Sequence, residues 1–140
     1  MKYYLDTNIC VYFLKGLNSD LLNRVLSHYP DDVKIASIVK AELLYGAEKS
    51  LKRDENFEKI QRFLLPYEIV PFDGKAAEKY STIRADLEKS GTIIGPNDLI
   101  VSAIVLSRDG VLVTNNEKEF ERVSGLFIEN WLKAHSLHYK

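Results

Sequence analysis

The chain is poor in several kinds of residue, and each scarcity narrows what it can be. It has one cysteine, Cys10, in 140 residues. A single thiol excludes an internal disulfide and fits a reducing compartment. Inside the apolar stretch from Ile9 to Leu14 it reads as a packing residue. Four prolines and seven glycines are scattered rather than gathered into a linker. With no repeat or low-complexity tract either, residues 1–140 read as one domain. No apolar run approaches the roughly 20 residues that span a bilayer. The opening MKYYLDTN meets an acid at position 6, which excludes a secretory apolar segment there, so the expected location is cytoplasmic. The histidines, His28, His135 and His138, have no partnering cysteine, so a zinc set is not expected. The formal net charge is only −1. Any nucleic-acid contact must then come from local basic patches or from bound cations.

What remains is an ordinary globular composition, 46% hydrophobic and 28% charged, with short β-like runs alternating with longer helical ones. Strands are expected at 2–5, 33–36, 68–70, 111–113 and 126–129, where β-branched, aromatic or aliphatic residues cluster. Helices are expected at 7–15, closed by Gly16, and at 19–28, 37–50, 55–65, 74–89, 97–108 and 116–122. Ser37 and Asn97 are candidate N-caps. Strands separated by helices predict an α/β fold with a mostly parallel sheet and right-handed crossovers. Ligands in such folds collect outside the carboxyl ends of the strands.

Three acids stand in that frame where acids are uncomfortable. Asp6 ends the run Tyr3-Tyr4-Leu5, at a strand's carboxyl end; it is equally a good helix cap. Glu42 lies mid-helix, and its neighbours at three and four residues are Ile38, Val39, Tyr45 and Gly46, none of them a cation. A carboxylate on so apolar a face needs something positive to meet it. Asp98 follows Gly95-Pro96-Asn97 and opens the apolar run 99–106. As a first-turn acid it complements the helix dipole, worth about 0.3–1 kcal/mol, which accounts for Asp98 but not for the other two. The inferred topology can carry all three to one sheet edge. Two carboxylates about 4 Å apart repel by roughly 4 kcal/mol at an effective dielectric near 20. A cluster of three must therefore hold protons or bind a cation, and all-oxygen ligands suit Mg²⁺ or Mn²⁺.

Leu5-Asp6-Thr7-Asn8, Ser37 with Glu42-Leu43 and Gly46-Ala47, Gly95-Pro96-Asn97-Asp98, and Val113-Thr114-Asn115-Asn116 followed by Glu119 and Gly125-Leu126 occur in this order. Together they resemble a PIN domain, and more narrowly the VapC-type toxins of toxin–antitoxin pairs. The resemblance covers nearly the whole chain. It implies a three-layer α/β/α sandwich and an endoribonuclease using Mg²⁺ or Mn²⁺. It also implies a homodimer and an inhibitory VapB-type antitoxin whose tail enters the acidic groove. Carried over, Asp6, Glu42 and Asp98 match the three main acidic positions. A fourth acid is frequent in the family after the fourth strand; here that position is Asn116, which can supply a carbonyl oxygen or hold a water, with Glu119 three residues on, readable equally as a site residue acting through water or as a surface-helix residue. Thr7, Asn8 and Thr114 are expected as hydrogen-bonding support for the acids.

The expected chemistry is attack by metal-activated water on an RNA phosphodiester, leaving 5′-phosphate and 3′-hydroxyl ends. It needs no catalytic histidine pair, and the family suggests tRNA among its targets. Lys40, Lys49, Lys52, Arg53 and Arg84 are candidate phosphate contacts, each also readable as a solvated surface charge. Two other readings stay open: a phosphatase using Asp6 as nucleophile, and a non-catalytic or weakened interaction domain on the same fold.

Overall fold

The short runs become strands β1 (Tyr3–Leu5), β2 (Val33–Ala36), β3 (Glu68–Val70), β4 (Val111–Val113) and β5 (Phe127–Glu129). They form one sheet, ordered β3-β2-β1-β4-β5, with every neighbouring pair parallel. Parallel neighbours need long crossovers, which here are helical. Helices α1 (Thr7–Lys15) and α2 (Ser19–Ser27) lead from β1 to β2. Helices α3 (Ser37–Glu48) and α4 (Arg53–Leu64) lead to β3, and α5 (Gly74–Ser90) and α6 (Pro96–Ser107) lead to β4. The short α7 (Glu117–Phe120) precedes β5. The result is the expected three-layer α/β/α sandwich around a parallel sheet. The structure, a computed structural model, describes residues 1–133; His135 and His138 lie outside the described residues. No helix among the described residues is long and apolar enough to cross a membrane.

Strand order fixes where a ligand can sit. The chain builds outward from β1 through β2 to β3, then returns over the sheet to lay β4 on the other side of β1. The order reverses between β1 and β4, and the crevice beyond their carboxyl ends is where open parallel sheets take ligands. Asp6 and Thr114 are the first residues past those two strands.

The core that holds this edge includes Leu5, Ile9, Ile35, Val39, Leu112 and Val113. Burying each such aliphatic side chain contributes about 1.5–3 kcal/mol. A second cluster, with Ile83, Leu87, Leu99 and Ala103, forms where α5 lies along α6. The all-round apolar sequence of α6 is explained by burial of Leu99 and of residues 101–105. Cys10 is fully buried, and burial pushes its thiol well above the usual range, as suits a packing role. Gly110 is required for a different reason: a Cβ there would lie 2.5 Å from the Tyr4 ring, which is itself buried.

The structure corrects several local expectations. Ser37 is the first residue of α3 rather than its cap; the extended Ala36 holds that place without a side-chain hydrogen bond. Asn97 does not cap α6. Pro96 takes the first helical position, which its fixed φ suits, and Gly95 becomes the cap. Helix α4 starts at Arg53, two residues earlier than expected, and α7 shrinks to a single turn.

Candidate active site

Asp6 combines the two roles its sequence position allowed. Its Oδ1 accepts the Ile9 N–H at 2.9 Å, which caps α1. Its Oδ2 accepts the Thr114 hydroxyl, which ties the end of β1 to the end of β4. Only 8% of Asp6 is exposed. Burial is the largest influence on its carboxyl and pushes its pKa up, against those two hydrogen bonds, and the nearby Glu42 charge adds to the rise.

Glu42 projects from α3 and has no cation for a partner among the described residues. The Thr7 hydroxyl donates to Oε1, and the Asn97 amide donates to Oε2 at 3.0 Å. Neutral donors from α1 and α6 thus orient this carboxylate. Asn97 in this role was not foreseen, because a contact spanning 55 positions leaves no local signal.

Asp98, in the first turn of α6, has its carboxyl pushed up to about 7. Desolvation is the largest cause, followed by the Glu119 charge and hydrogen bond, then by Asp6 and Glu42. Glu119 moves the other way. Its Oε1 accepts the Gly95 N–H at 2.8 Å, and its Oε2 accepts the Asn116 amide at 2.7 Å. The Gly95 bond is the first cause holding Glu119 below the usual range; Asn116 and Asp98 add to it. The pair shares one proton, which resides on Asp98, since Glu119 is the better solvated and better hydrogen-bonded of the two. Behind them the buried Ser102 donates to the Asp98 carbonyl at 2.8 Å, and the buried Thr114 accepts the Asn116 N–H at 3.0 Å. Asp6, Ser102 and Thr114 are the buried polar residues among those described, and all three serve this edge.

Asp6, Thr7, Asn8, Glu42, Asp98, Val101, Asn116 and Phe120 line one cavity of about 140 Å³. No lysine, arginine or histidine of the described residues lines it. The three acids face this common space without being drawn into a closed ligand cage. No such group of three acidic, histidine or cysteine side chains occurs among the described residues. Neutral donors anchor the Asp6 and Glu42 carboxylates, whereas the Asp98 carboxyl meets Glu119. An all-oxygen set with raised aspartate carboxyls and no basic side chain has the chemistry of a site for a hard divalent cation.

The candidate phosphate contacts lie elsewhere. Lys52 faces Glu55, Arg53 is paired with Glu48 and Asp54, and Arg84 is paired with Glu88. Lys49 sits over the Tyr45 ring, 4.9 Å from its centroid. Neither they nor Lys40 line the acidic cavity. A larger cleft of about 460 Å³ between α1, α3 and α4 adjoins that cavity through Thr7 and Glu42, and it brings in Lys15 and Lys59. Sequence reasoning passed over both lysines. Only the spacing of Lys15 from Asn8 and Val11 along one face of α1 could have signalled it.

The model of the PIN domain family matches residues 3–126. Ribonuclease VapC2 of Rickettsia felis is 44% identical over 134 residues, covering 95% of this chain and all of the relative. The tRNA(fMet)-specific endonuclease VapC of Salmonella typhimurium is 38% identical, covering 94% of this chain and 98% of its own. Among solved structures, VapBC2 from Rickettsia felis, bound to a DNA fragment from the promoter, contains a chain that superposes with a TM-score of 0.88 at 41% identity. The match covers 94% of this chain and 99% of that one. With the family model spanning β1 through α7 and relatives matched over nearly their full length, this chain belongs to the PIN domain family, alongside the VapC ribonucleases.

Proposed function

We propose that the chain is a divalent-metal-dependent endoribonuclease, the toxin of a VapBC pair, working at the Asp6–Glu42–Asp98 cavity. The carrying observation is that these three side chains line one cavity beyond β1 and β4 with no basic side chain of the described residues among its lining, while burial and neighbouring carboxylates raise Asp6 and Asp98. Elsewhere such an arrangement would only cost stability. Here a Mg²⁺ or Mn²⁺ ion balances it, and the donor set fits either.

When bound, such a cation supplies Lewis acidity, making water a better nucleophile and offsetting charge that develops on phosphorus. The chain's own part is positioning. Thr114 and the Ile9 N–H fix both Asp6 oxygens. Thr7 and Asn97 fix both Glu42 oxygens. Glu119, braced by Gly95 and Asn116, holds the proton on Asp98, whose carboxylate would be a ligand when a cation is bound. Asn116, where many family members have an acid, thus serves as a donor to Glu119. Hydrolysis by water leaves 5′-phosphate and 3′-hydroxyl ends. The substrate is RNA in the cytosol, with tRNA the first candidate because relatives bear that specificity in name. The protein partner is a VapB-type antitoxin, as in the complexes of the similar structures.

A phosphatase built on Asp6 fits poorly, since both of its oxygens accept hydrogen bonds and no lysine lines the cavity. Total RNA incubated with the purified chain, with and without EDTA, tests the reading by mapped ends. Metal-dependent cuts with 5′-phosphates are expected. Absence of cleavage with either metal, or cleavage that survives EDTA, contradicts it.

A further inference from the structure

A second cleft opens on the other side of α1, and none of the site residues considered so far accounts for most of it. It has a volume of about 350 Å³ and is lined by Asn8, Val11, Tyr12, Lys15, Leu17 and Asn115. Asn8 also lines the acidic cavity, and Asn115 adjoins its Asn116, so the two spaces are continuous. Positions 8, 11, 12 and 15 recur at helical spacing and bring one face of α1 to this cleft. The face runs from Asp6 at the helix N-cap to Lys15 in its last turn.

The chemistry along that face is graded. Nearest the acids is Asn8, exposed and without a side-chain hydrogen bond among the described residues. Across from it, the Asn115 carbonyl oxygen accepts the Asn130 amide at 2.9 Å, which leaves the Asn115 amide N–H groups to donate outward. Farther along stands the half-buried Tyr12 ring, and last the exposed Lys15, which has no ion pair among the described residues. An aromatic face, amides that can meet base edges, and an uncompensated ammonium make up the usual equipment for single-stranded nucleic acid. The acidic cavity repels polyanions, so substrate held there needs an attractive neighbour. The neighbouring cleft between α1, α3 and α4 shares Lys15 and adds Lys59, but no aromatic ring of the described residues lines it, which favours the Tyr12 side for a base.

We propose that the cleft formed by Asn8, Tyr12, Lys15 and Asn115 is a nucleotide subsite. It stacks one unpaired RNA base on Tyr12 and holds a phosphate beside the scissile one with Lys15. The inference rests on the ribonuclease reading above, and binding without turnover separates the two. The test uses the full chain carrying Asp98→Asn, with a fluorescein-labelled single-stranded RNA oligonucleotide followed by anisotropy in EDTA. Tyr12→Leu should weaken binding about tenfold while Tyr12→Phe restores it, since stacking survives loss of the hydroxyl. Lys15→Gln should flatten the slope of log K against log salt by about 0.7, with Lys15→Arg keeping it. In the otherwise native chain, the same Leu and Gln changes should raise KM for RNA and leave kcat nearly unaltered. Unchanged affinity and salt slope in Tyr12→Leu and Lys15→Gln, with the melting temperature retained, overturn the proposal. So does loss of affinity for a VapB-type antitoxin with RNA affinity intact, which assigns the cleft to the protein partner. A native chain that binds RNA through this cleft but never cuts it would refute the ribonuclease reading alone.

Discussion

The two ends of one sheet treat acidic side chains in opposite ways. At the amino ends, Lys2 pairs with Asp32 at 2.9 Å, and Lys34 pairs with Glu68 at 2.8 Å across β2 and β3. Those lysines hold both carboxyls below their usual ranges. At the carboxyl ends, burial and then Glu42 push Asp6 up, burial and then Glu119, Asp6 and Glu42 push Asp98 up, and no basic side chain of the described residues lines their cavity. The fold can therefore neutralise acids at strand ends and does so where nothing else is required. Charge left uncompensated at the opposite edge is a property of the site, not of the architecture.

Breaking the acidic edge should have the largest effect. Asp6→Asn or Asp98→Asn should lower RNA cleavage by at least about a hundredfold, measured as initial rates in Mn²⁺. Circular dichroism should show the fold intact, because an amide of the same shape relieves repulsion. Wild-type rates in either variant would remove that residue from the site.

Glu119→Gln comes next. Support residues of this kind are typically worth about 10–100-fold in metal affinity or activity. The glutamine can still meet Gly95 or Asn116, but it no longer attracts the Asp98 proton as a charge does. The pH–rate profile of the variant should shift along with its rate; a rate loss at unchanged pH dependence would make Glu119 a purely structural brace.

The titration of Asp98 sharpens the comparison through stability. Its carboxyl lies at about 7 in the folded chain, against an ordinary value of 3.8. The folded state keeps a proton that the unfolded state has already released. This contribution is present in full below the ordinary value and is lost as pH rises through about 7. Without metal, the melting temperature should therefore fall over that window. Mg²⁺ should raise it more at pH 8 than at pH 5, by an amount equivalent to about 2.7 kcal/mol at a hundred times Kd. Scanning calorimetry with and without EDTA checks both signs.

The smallest effect belongs to the amino edge. Lys2→Met or Asp32→Asn should leave cleavage unchanged and move the melting temperature by no more than about 2 °C, since that pair is solvated. A large loss of activity from either would dissolve the contrast between the two edges.

Much of this was legible in the sequence, for reasons that also explain the rest. The strands were readable because β-prone residues gather in short runs between helices, and a parallel sheet then followed from general rules, though the strand order emerges only from the assembled fold. Glu42 was conspicuous because a helix face of Ile38, Val39, Tyr45 and Gly46 gives a carboxylate no cation. Asp6 and Asp98 were visible as acids at the edges of apolar runs. What stayed hidden depends on side chains meeting across the fold. Asn97 looked like a helix cap, yet its amide reaches Glu42, because Pro96 displaces the cap to Gly95. Glu119 was read equally as a surface residue; only the packing of α7 against the loop before α6 brings it to Gly95 and Asp98. Cations such as Arg53 and Arg84 read in the sequence as phosphate contacts, but ion pairs with neighbouring acids absorb them. Lys15 escaped notice because a cleft beside α1 exists only once the sheet and helices are assembled.

Titration of Mn²⁺ into the metal-free chain by calorimetry, repeated in buffers of different ionisation enthalpy, reaches the central point most directly. Saturable binding that releases a proton near pH 6, and that disappears in the Asp6→Asn, Asp98→Asn double variant, is the result expected of an edge whose charge awaits a cation. Binding that is absent, or that persists unchanged in the double variant, would contradict it.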